Sequence, residues 1–451
     1  MGQNRANAVW NALVVLLFAA AASVLCFIVA WRYAIFRNDV DLGIFTQVVG
    51  SIGRGFSSTA EGGANHLLVH WSPIIGLAWP ALRTFGPLGL EYFQAIAVAA
   101  TLFPIWGLAR ARFNAPAALG VVSVAALYPT LCGNGVGDFH EMAFVPFLSA
   151  SLVYAMDRRR WMLGALVALL LACTKEDQFV VLAVNGLLFA AVSRGDRDAR
   201  RFGLVVCGIA VLMACAYFGM IREVIDPHVR YGALGFFNWS GQQFGWHDVV
   251  SGILAPRVSY VLIALVPLAF LPCVSRYGLF LIPGFVEILA AHEPVTIRPG
   301  AHYSALLTGY ALAAFVDGTA RANAWRPRAG AVLVAIAAAA SMYVAIFASP
   351  MEYWYYLYRP PNAHDALLES TLHELPPRAD VGTQGSIFSH MGLDPNASVN
   401  FSNQQWLVFD VTQYSQRWHD VDEPAVREAI ARSTYAVVSD RDGIVVLRRR
   451  Q

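Results

Sequence analysis

The sequence predicts an α-helical polytopic membrane protein with a small C-terminal extracytoplasmic α/β domain. Of its 451 residues, 57% are hydrophobic and 14% are charged, whereas soluble domains carry about 25% charged residues. The apolar residues form long runs such as Val9–Trp31 and Ala331–Ala348, which suit the hydrocarbon core of a bilayer. After Ser349 the composition turns polar. The net charge of +2 gives no reason to expect nucleic acid, so membrane lipids are the expected surroundings.

The distribution of arginines predicts the orientation of the chain. Arginines cluster in the segments 110–112, 158–160, 194–201 and 321–328, and basic residues in short loops mark the cytoplasmic side. This places the N-terminus in the cytoplasm and gives about eleven crossings of the cytoplasmic (inner) membrane. A crossing by His66–Phe85 would invert every later loop. This run is therefore predicted to lie partly inserted at the outer face.

The change of composition predicts two domains. Residues 1–349 form a transmembrane domain with external loops at 32–65 and 222–258, and residues 350–451 form a soluble extracytoplasmic α/β domain. In the second domain, Tyr435–Val438 and Gly443–Leu447 are typical of strands and Glu423–Arg432 of a helix. The six cysteines lie in or beside apolar runs without CxxC spacing, which disfavours disulfides or a zinc site.

Ionisable residues near membrane depth are the candidate functional residues. Each costs about 2.5–3.5 kcal/mol at the centre of a membrane helix, so each needs a partner or a function. In the predicted topology the polar clusters all lie on the outer side. They are Asp39 and Asp41; His66 and His70; Asp138, His140 and Glu141; Lys175, Glu176 and Asp177; and Arg298, His302 and Tyr303.

Asp39 and Asp41 follow the first crossing. On a helix they would point about 160° apart, so one pocket would more easily use one of them than both. One interpretation is a general base, or a ligand of a divalent cation, just outside the membrane. The other is a solvated loop that caps the next helix. The residues alone leave both open.

The Gly137–Glu141 segment has the spacing of a helix start. Asp138 and Glu141 fit a capping box, which leaves only His140 unexplained. The same helix N-terminus would also attract phosphate. A structural cap and a ligand site are therefore compatible at this position.

A second helix start is predicted at Thr174, with Asp177 three residues later. The apolar runs on both sides are shorter than the ~20 residues that span a bilayer, so their turn should lie below the outer interface. It carries Lys175, the only lysine in the chain. Either Lys175 is neutralised by Glu176, or the turn forms the floor of a water-filled pocket.

Two further groups have alternative explanations. Arg298 offers a planar fork suited to phosphate, but a juxtamembrane arginine also snorkels to lipid headgroups. His66 and His70 are four residues apart and would share a helix face. That spacing suits a metal, although local hydrogen bonding explains it equally.

A family resemblance rests on these motifs in chain order. The motifs are Asp41-Leu42-Gly43-Ile44-Phe45-Thr46-Gln47, Asn65-His66, His70-Trp71-Ser72-Pro73, Asp138-Phe139-His140-Glu141, Lys175-Glu176-Asp177 and His302-Tyr303. The sequence resembles a family of predicted multi-pass membrane proteins of unknown function, found in bacteria and archaea and grouped with the GT-C glycosyltransferase superfamily. The similarity covers nearly the whole chain.

The resemblance implies a GT-C-like fold and a role in the cell envelope. GT-C enzymes transfer a sugar from a polyprenyl-phosphate donor to an extracytoplasmic glycan, lipid or protein acceptor. They carry an acidic residue in the first external loop as base or metal ligand, which Asp41 matches, with Asp39 as a second candidate. The chain lacks the paired Asp-Glu of many members, so the need for a divalent cation stays open. Lys175 and Arg298 would stabilise the phosphate.

Two other functions are compatible with the residues. A transporter or lipid flippase would relay ions through buried charges, with polar groups spread through the membrane thickness and a site near the midplane. A non-catalytic membrane scaffold would use its C-terminal domain to bind a partner and would need no groove for lipid.

Overall fold

Helices make up most of the computed structural model, which describes residues 2–229, 231–239, 245–246, 248–348, 359–399, 401, 403–412, 424, 427–428, 431–432 and 434–450. The α-helices up to residue 348 are α1 (Gly2–Ala34), α2 (Val40–Gly50), α3 (His66–Val69), α4 (Trp79–Phe85), α5 (Pro87–Ala99), α6 (Leu102–Arg110), α7 (Ala115–Leu127), α8 (Pro129–Val136), α9 (Val145–Asp157), α10 (Trp161–Ala172), α11 (Asp177–Val192), α12 (Arg197–Ala216), α13 (Arg222–Ile225), α14 (Ala255–Leu265), α15 (Ile282–Ala290), α16 (Ala305–Trp325) and α17 (Ala329–Tyr343). Short 3-10 and π turns join or extend several of them.

Within the described residues, five helical segments are long and apolar enough to cross a membrane. They are Asn7–Ala34, Pro87–Arg110, Arg197–Ile225, Asp248–Leu268 and Ala329–Phe347. The pair α7 and α8, bent by 50°, would make a sixth. Most of the other predicted crossings are shorter or broken; the run Tyr277–Ala291, for example, forms a 3-10 turn and then the nine-residue helix α15. The membrane class is thus supported, and the count of eleven crossings stays a prediction.

Four of these five segments, all except Pro87–Arg110, leave most of their apolar surface uncovered by the rest of the described chain. Arg197–Ile225 and Asp248–Leu268 each bury only 17% of their most apolar stretch against the rest of the chain. Exposed hydrophobic side chains such as Leu212 and Val258 lie on them. A continuous apolar surface of this kind suits contact with lipid.

The run His66–Phe85 is not one straight helix. It consists of α3, a 3-10 turn at Pro73–Ala78 and α4. Pro73 and Pro80 lack the N–H group that a continuous helix needs. This agrees with the prediction that the segment does not cross as a single helix, while its depth in the membrane stays a prediction.

Charged residues join the helix ends on the side that carries the arginine clusters. Asp157 at the end of α9 accepts hydrogen bonds from Arg112 at 2.5 Å and Arg276 at 3.0 Å. Asp317 in α16 accepts a hydrogen bond from the same Arg112 at 3.3 Å. Four segments are therefore fixed to one another at the predicted cytoplasmic end.

The C-terminal residues form a five-stranded mixed sheet. Its strands are β1 (Val381–Thr383), β2 (Ala397–Ser398), β3 (Trp406–Asp410), β4 (Tyr435–Arg441) and β5 (Ile444–Arg449), in the order β2-β1-β3-β5-β4. β1 is parallel to β2 and β3, whereas β5 is antiparallel to β3 and β4. The helices α18 (Ala363–His373) and α19 (Gly385–Met391) belong to the same region.

The hairpin between β4 and β5 confirms the two strands predicted from the sequence. Asp442 and Gly443 both have positive φ, at 54° and 80°, which is the requirement of a type I′ turn. An Asp-Gly pair between two apolar runs is the sequence signal for such a turn. Half of the predicted helix Glu423–Arg432 lies outside the described residues.

Candidate functional site

The N-terminus of α2 is capped by two aspartates. The carboxylate of Asp39 accepts a hydrogen bond from the Val40 N–H at 2.8 Å. The carboxylate of Asp138 accepts from the N–H groups of Asp39 at 2.7 Å and Leu42 at 3.4 Å. Asp39 is exposed and serves as an N-cap. Asp41 is not part of this cap.

Asp41, His140 and His302 meet in one cluster. Each offers one ligand atom, and these atoms all lie within 4.8 Å of one another. The two imidazole rings stack with centroids 3.6 Å apart and an interplanar angle of 9°. Asp41 comes from α2, His140 from the turn before α9 and His302 from the turn before α16. The fold thus joins three segments that are distant in sequence.

The donor set of this cluster fits a divalent cation. Two imidazoles and a carboxylate are ligands that zinc and other divalent transition metals take in proteins. The Nε2 atom of His302 is buried and has no hydrogen-bond partner. The Nδ1 atom of His140 lies 2.9 Å from Oε2 of Glu141. Asp39, the other acidic residue considered as a ligand, lies outside this group.

Burial sets the protonation of the cluster. It raises the pKa of Asp41 well above the usual range, and the charges of Asp138 and Asp39 raise it further. Burial also lowers the pKa of His140 to about 4, against the opposing effect of Glu141. The imidazoles are therefore neutral at pH 7, while the Asp41 carboxyl group favours its protonated form unless a positive charge lies beside it.

Lys175 lies next to this cluster. Its Nζ is 3.5 Å from Oε1 of Glu141 and 3.5 Å from Oδ2 of Asp177, and it lies 5.4 Å from the centre of the Tyr303 ring. Burial lowers the pKa of Lys175, but the charges of Asp177 and Glu141 outweigh this effect and raise it well above its usual range. The ammonium group therefore stays charged.

Glu176 has a mainly structural role. Its carboxylate accepts hydrogen bonds from the Tyr231 hydroxyl at 2.9 Å and the Trp71 N–H at 2.8 Å, and lies 2.8 Å from Nδ1 of His70. Burial raises the pKa of Glu176, but His70 outweighs it and lowers the value to about 2. One carboxylate thus fixes the segment after α3 to the Lys175 turn.

A cleft adjoins these groups. Its lining residues are His70, Lys175, Asp177, Tyr231, Phe236, Phe237, Glu287, Ile288, Ala291, Thr296, Tyr303 and Leu306. Lys175, Asp177 and Glu287 carry its charges. Aromatic and aliphatic side chains supply most of the remaining wall. Lys175 contacts Glu141, the partner of His140, so cleft and cluster are neighbours.

The structure corrects the predicted capping box at Asp138 and Glu141. Asp138 pairs with Arg32 at 2.8 Å and caps α2, and Glu141 faces His140 and Lys175. The side chain that caps the 3-10 turn before α9 is instead His140, which accepts from the Met142 N–H. Asp138 is thus a structural residue beside the cluster, because a buried arginine attracts its carboxylate.

The predicted Thr174 cap is also wrong. The Thr174 hydroxyl donates to the Leu171 carbonyl at 2.7 Å, and α11 begins at Asp177 with no side-chain cap. A threonine at the end of α10 can satisfy its hydroxyl on the preceding turn. Asp177 is thereby free to face Lys175.

Three other candidates lie apart from the cluster. His66 is buried, and its Nδ1 lies 2.8 Å from Glu61, while His70 pairs with Glu176. The two histidines therefore bind separate carboxylates rather than forming a shared metal site. Arg298 is exposed and is not among the residues that line the cleft.

Two ionisable residues of the cleft, Glu287 and Tyr231, were not predicted as site residues. Glu287 lines the cleft together with Asp177. It is the only charged residue in the apolar run Tyr277–Ala291, and an ionisable residue within a membrane segment is itself a signal of function. Tyr231 lies in a long loop, where the sequence gives no comparable signal.

Solved structures show what fold this is. ArnT from Cupriavidus metallidurans bound to undecaprenyl phosphate matches with a TM-score of 0.55 at 14% identity, over 96% of this chain and 97% of ArnT. ArnT in the apo state gives 0.55 at 15% identity with the same coverage. The apo oligosaccharyltransferase from Archaeoglobus fulgidus gives 0.50 at 12%, over 90% of this chain and 70% of that one. These neighbours are GT-C glycosyltransferases, and they show a GT-C-like fold.

Sequence comparison completes the assignment. No curated protein matches the chain. A family profile matches nearly all of it, which confirms the resemblance to a family of predicted membrane proteins. Since the match extends over residues 32–446, the chain belongs to the DUF2079 family of predicted membrane proteins.

Proposed function

We propose that this protein is a membrane glycosyltransferase that transfers a sugar from a polyprenyl-phosphate donor to an extracytoplasmic acceptor. The observation that carries the proposal is the convergence of Asp41, His140 and His302 beside a cleft with Lys175 in its wall. The GT-C-like fold, shared with an ArnT structure that holds undecaprenyl phosphate, supports the same donor class.

The acceptor half of the reaction requires a base. The acceptor hydroxyl oxygen forms a bond to the anomeric carbon of the sugar, while a carboxylate oxygen of Asp41 takes the hydroxyl proton. The bond between that carbon and the phosphate oxygen breaks, and its electron pair leaves with the phosphate. Attack opposite to the leaving group inverts the anomeric centre.

The leaving phosphate requires positive charge. Lys175 supplies a fixed ammonium group at the cleft, where its effect is strong because the surroundings exclude water. When held by Asp41, His140 and His302, a divalent cation would add Lewis acidity and would keep Asp41 ionised. Apolar side chains of the cleft such as Phe236 and Phe237, which are not buried, provide a surface for the isoprenoid chain.

The test uses the purified full chain in lipid nanodiscs with a panel of undecaprenyl-phosphate sugars and a panel of glycan, lipid and peptide acceptors that carry hydroxyl groups. Released undecaprenyl phosphate is measured by mass spectrometry. We expect Asp41→Asn to lower the release about 100-fold or more, because it removes the base. Asp39→Asn is the matched control: asparagine caps a helix as well as aspartate does, so release should stay near the wild-type rate.

Two results would contradict the proposal. Release by Asp41→Asn at the wild-type rate would exclude Asp41 as base. Absence of release from every donor would reject the transferase. Movement of a fluorescent polyprenyl phosphate across a proteoliposome membrane would then support the flippase alternative, and no movement would support the scaffold.

A further inference from the structure

We infer that the C-terminal sheet region positions Asp41 by holding α2 from the side opposite the cluster. In this arrangement the cluster of Asp41, His140 and His302 lies on one face of α2, and the C-terminal region packs against the opposite face. The inference rests on the proposed function only in treating Asp41 as a site residue.

The two faces of α2 follow from helix geometry. Asp41 and Phe45 are four residues apart and share one face, and the Phe45 ring contacts the ring of His140 with centroids 5.3 Å apart. Gly43 lies about 200° around the helix from Asp41 and shares its face with Gln47. Residues 41–47 therefore face the cluster on one side of α2 and the C-terminal region on the other.

Glycines allow α2 and α19 to pack directly together. A Cβ atom on Gly43 would lie 2.3 Å from Cδ1 of Phe388, and a Cβ atom on Gly392 would lie 2.7 Å from Cβ of Thr46. Phe388 is fully buried. Neither glycine can carry a side chain unless the two helices move apart, so this packing fixes their distance.

Gln47 adds a polar connection on the same face. Its Nε2 donates to the carbonyl oxygens of Asp394 and Ala397, each at 3.0 Å. Its Oε1 accepts from the Ser58 hydroxyl at 2.8 Å and the Thr59 N–H at 2.9 Å. This buried amide thus joins α2, the loop that follows it and the strand β2.

The start of α2 is held as well. The Ser389 hydroxyl donates to the carbonyl oxygen of Asp39. The neighbouring His390 ring is stacked between the rings of Tyr33 and Phe36, with centroids 3.9 Å and 3.7 Å apart, and its Nε2 lies 3.1 Å from the Tyr33 carbonyl oxygen. α19 therefore fixes the connection between α1 and α2, two residues before Asp41.

Position matters because catalysis and metal binding depend on it. A displacement of about 1 Å can lower a reaction rate about 100-fold. His140 and His302 belong to the transmembrane helical region, whereas α2 rests on the C-terminal region. Movement of α19 would therefore shift Asp41 relative to the two histidines.

The test uses Gly43→Ala, Phe388→Ala and the double variant in the purified full chain. Gly43→Ala should force α2 and α19 apart, and removal of the Phe388 ring should restore the space. Gly50→Ala is the control on the same helix, because its new Cβ would meet only Leu82 Cδ2 at an ordinary 3.8 Å. Cobalt(II) alone is titrated and followed by its visible absorption. Hydrogen–deuterium exchange of the Val40–Gly50 amides is measured in parallel.

We expect Gly43→Ala to weaken cobalt binding about tenfold or more, to change its absorption spectrum and to speed exchange in α2. The double variant should recover the affinity to within about twofold, because two mutations in contact are not additive. Gly50→Ala should match the wild type in both measurements. Recovery in the double variant distinguishes positioning from a general loss of stability.

Unchanged cobalt affinity, spectrum and exchange in Gly43→Ala would overturn the inference, as would a double variant as impaired as Gly43→Ala. If Asp41→Asn binds cobalt like the wild type, the metal site of the proposed function fails. In that case only the hydrogen–deuterium exchange of the α2 amides tests the inference. If Gly43→Ala does not fold, Gly392→Ala replaces it in the test, because its new Cβ would lie 2.7 Å from Cβ of Thr46 and should likewise speed exchange in α2.

Discussion

Lys175 illustrates how one buried charge can define a binding site. Among the described residues that line the cleft, it is the only one with a fixed positive charge. Arg298, whose planar fork made it a candidate for phosphate, is exposed and outside the cleft. The cation that a phosphate can reach within the cleft is therefore Lys175.

At this scale we predict that Lys175→Met weakens undecaprenyl phosphate binding about 10- to 100-fold, because a hydrogen bond to a charged group contributes about 1.5–3 kcal/mol. Native mass spectrometry of the purified chain, titrated with this lipid, measures the loss. Arg298→Met is the control and should bind normally. Weaker binding by Arg298→Met together with normal binding by Lys175→Met would place the phosphate site outside the cleft.

At the scale of elements, a buried charge network fixes α2 to two membrane helices. The Arg32 guanidinium near the end of α1 lies 2.7 Å from Glu91 in α5 and 2.8 Å from Asp138. The side chains of Arg32 and Glu91 are only 1% and 0% exposed. Since Asp138 also caps α2, this network and α19 hold the helix that carries Asp41 from two sides.

We predict that Arg32→Met destabilises the protein by about 3–5 kcal/mol, because it leaves two buried carboxylates without their cation. Arg159→Met breaks the exposed pair with Asp196 and should cost about 1 kcal/mol or less. Denaturant unfolding of the detergent-purified variants, followed by circular dichroism, provides the comparison. Equal small losses would show that the Arg32 network contributes little to stability.

On the scale of the whole molecule, charged groups collect at two ends of the helical bundle. One end holds Lys175 and the Asp41 cluster, and the other holds the network around Asp157 and Asp317. The arginine clusters predict that the second end is cytoplasmic. The proposed reaction requires the first end to face outward.

A membrane-impermeant thiol reagent applied to intact cells tests this orientation. Arg298 and Arg159 are both exposed, near opposite ends of the bundle. We predict that Arg298→Cys is labelled above the background of the unsubstituted chain, whereas Arg159→Cys is labelled only after cell lysis. The reverse pattern would invert the topology and place the cluster in the cytoplasm.

The sequence by itself determined the membrane class, the strands β4 and β5, and most of the charged residues that surround the cluster. These features depend on composition or on neighbours in the chain: apolar runs need lipid, and Asp442-Gly443 adopts the turn that joins two strands. The family resemblance added a GT-C-like fold, which solved structures support.

Only the tertiary structure decided which charged residues meet. Asp41 belongs to the cluster, whereas Asp39 caps α2. Asp138 pairs with Arg32. Glu287 and Asp177 line the same cleft, and Arg298 is not among the residues that line it. A buried charge is stable only beside a suitable partner, and its partner in these cases is distant in the chain. Spacing along the sequence carries no information about such pairings, because they form only when the helices pack.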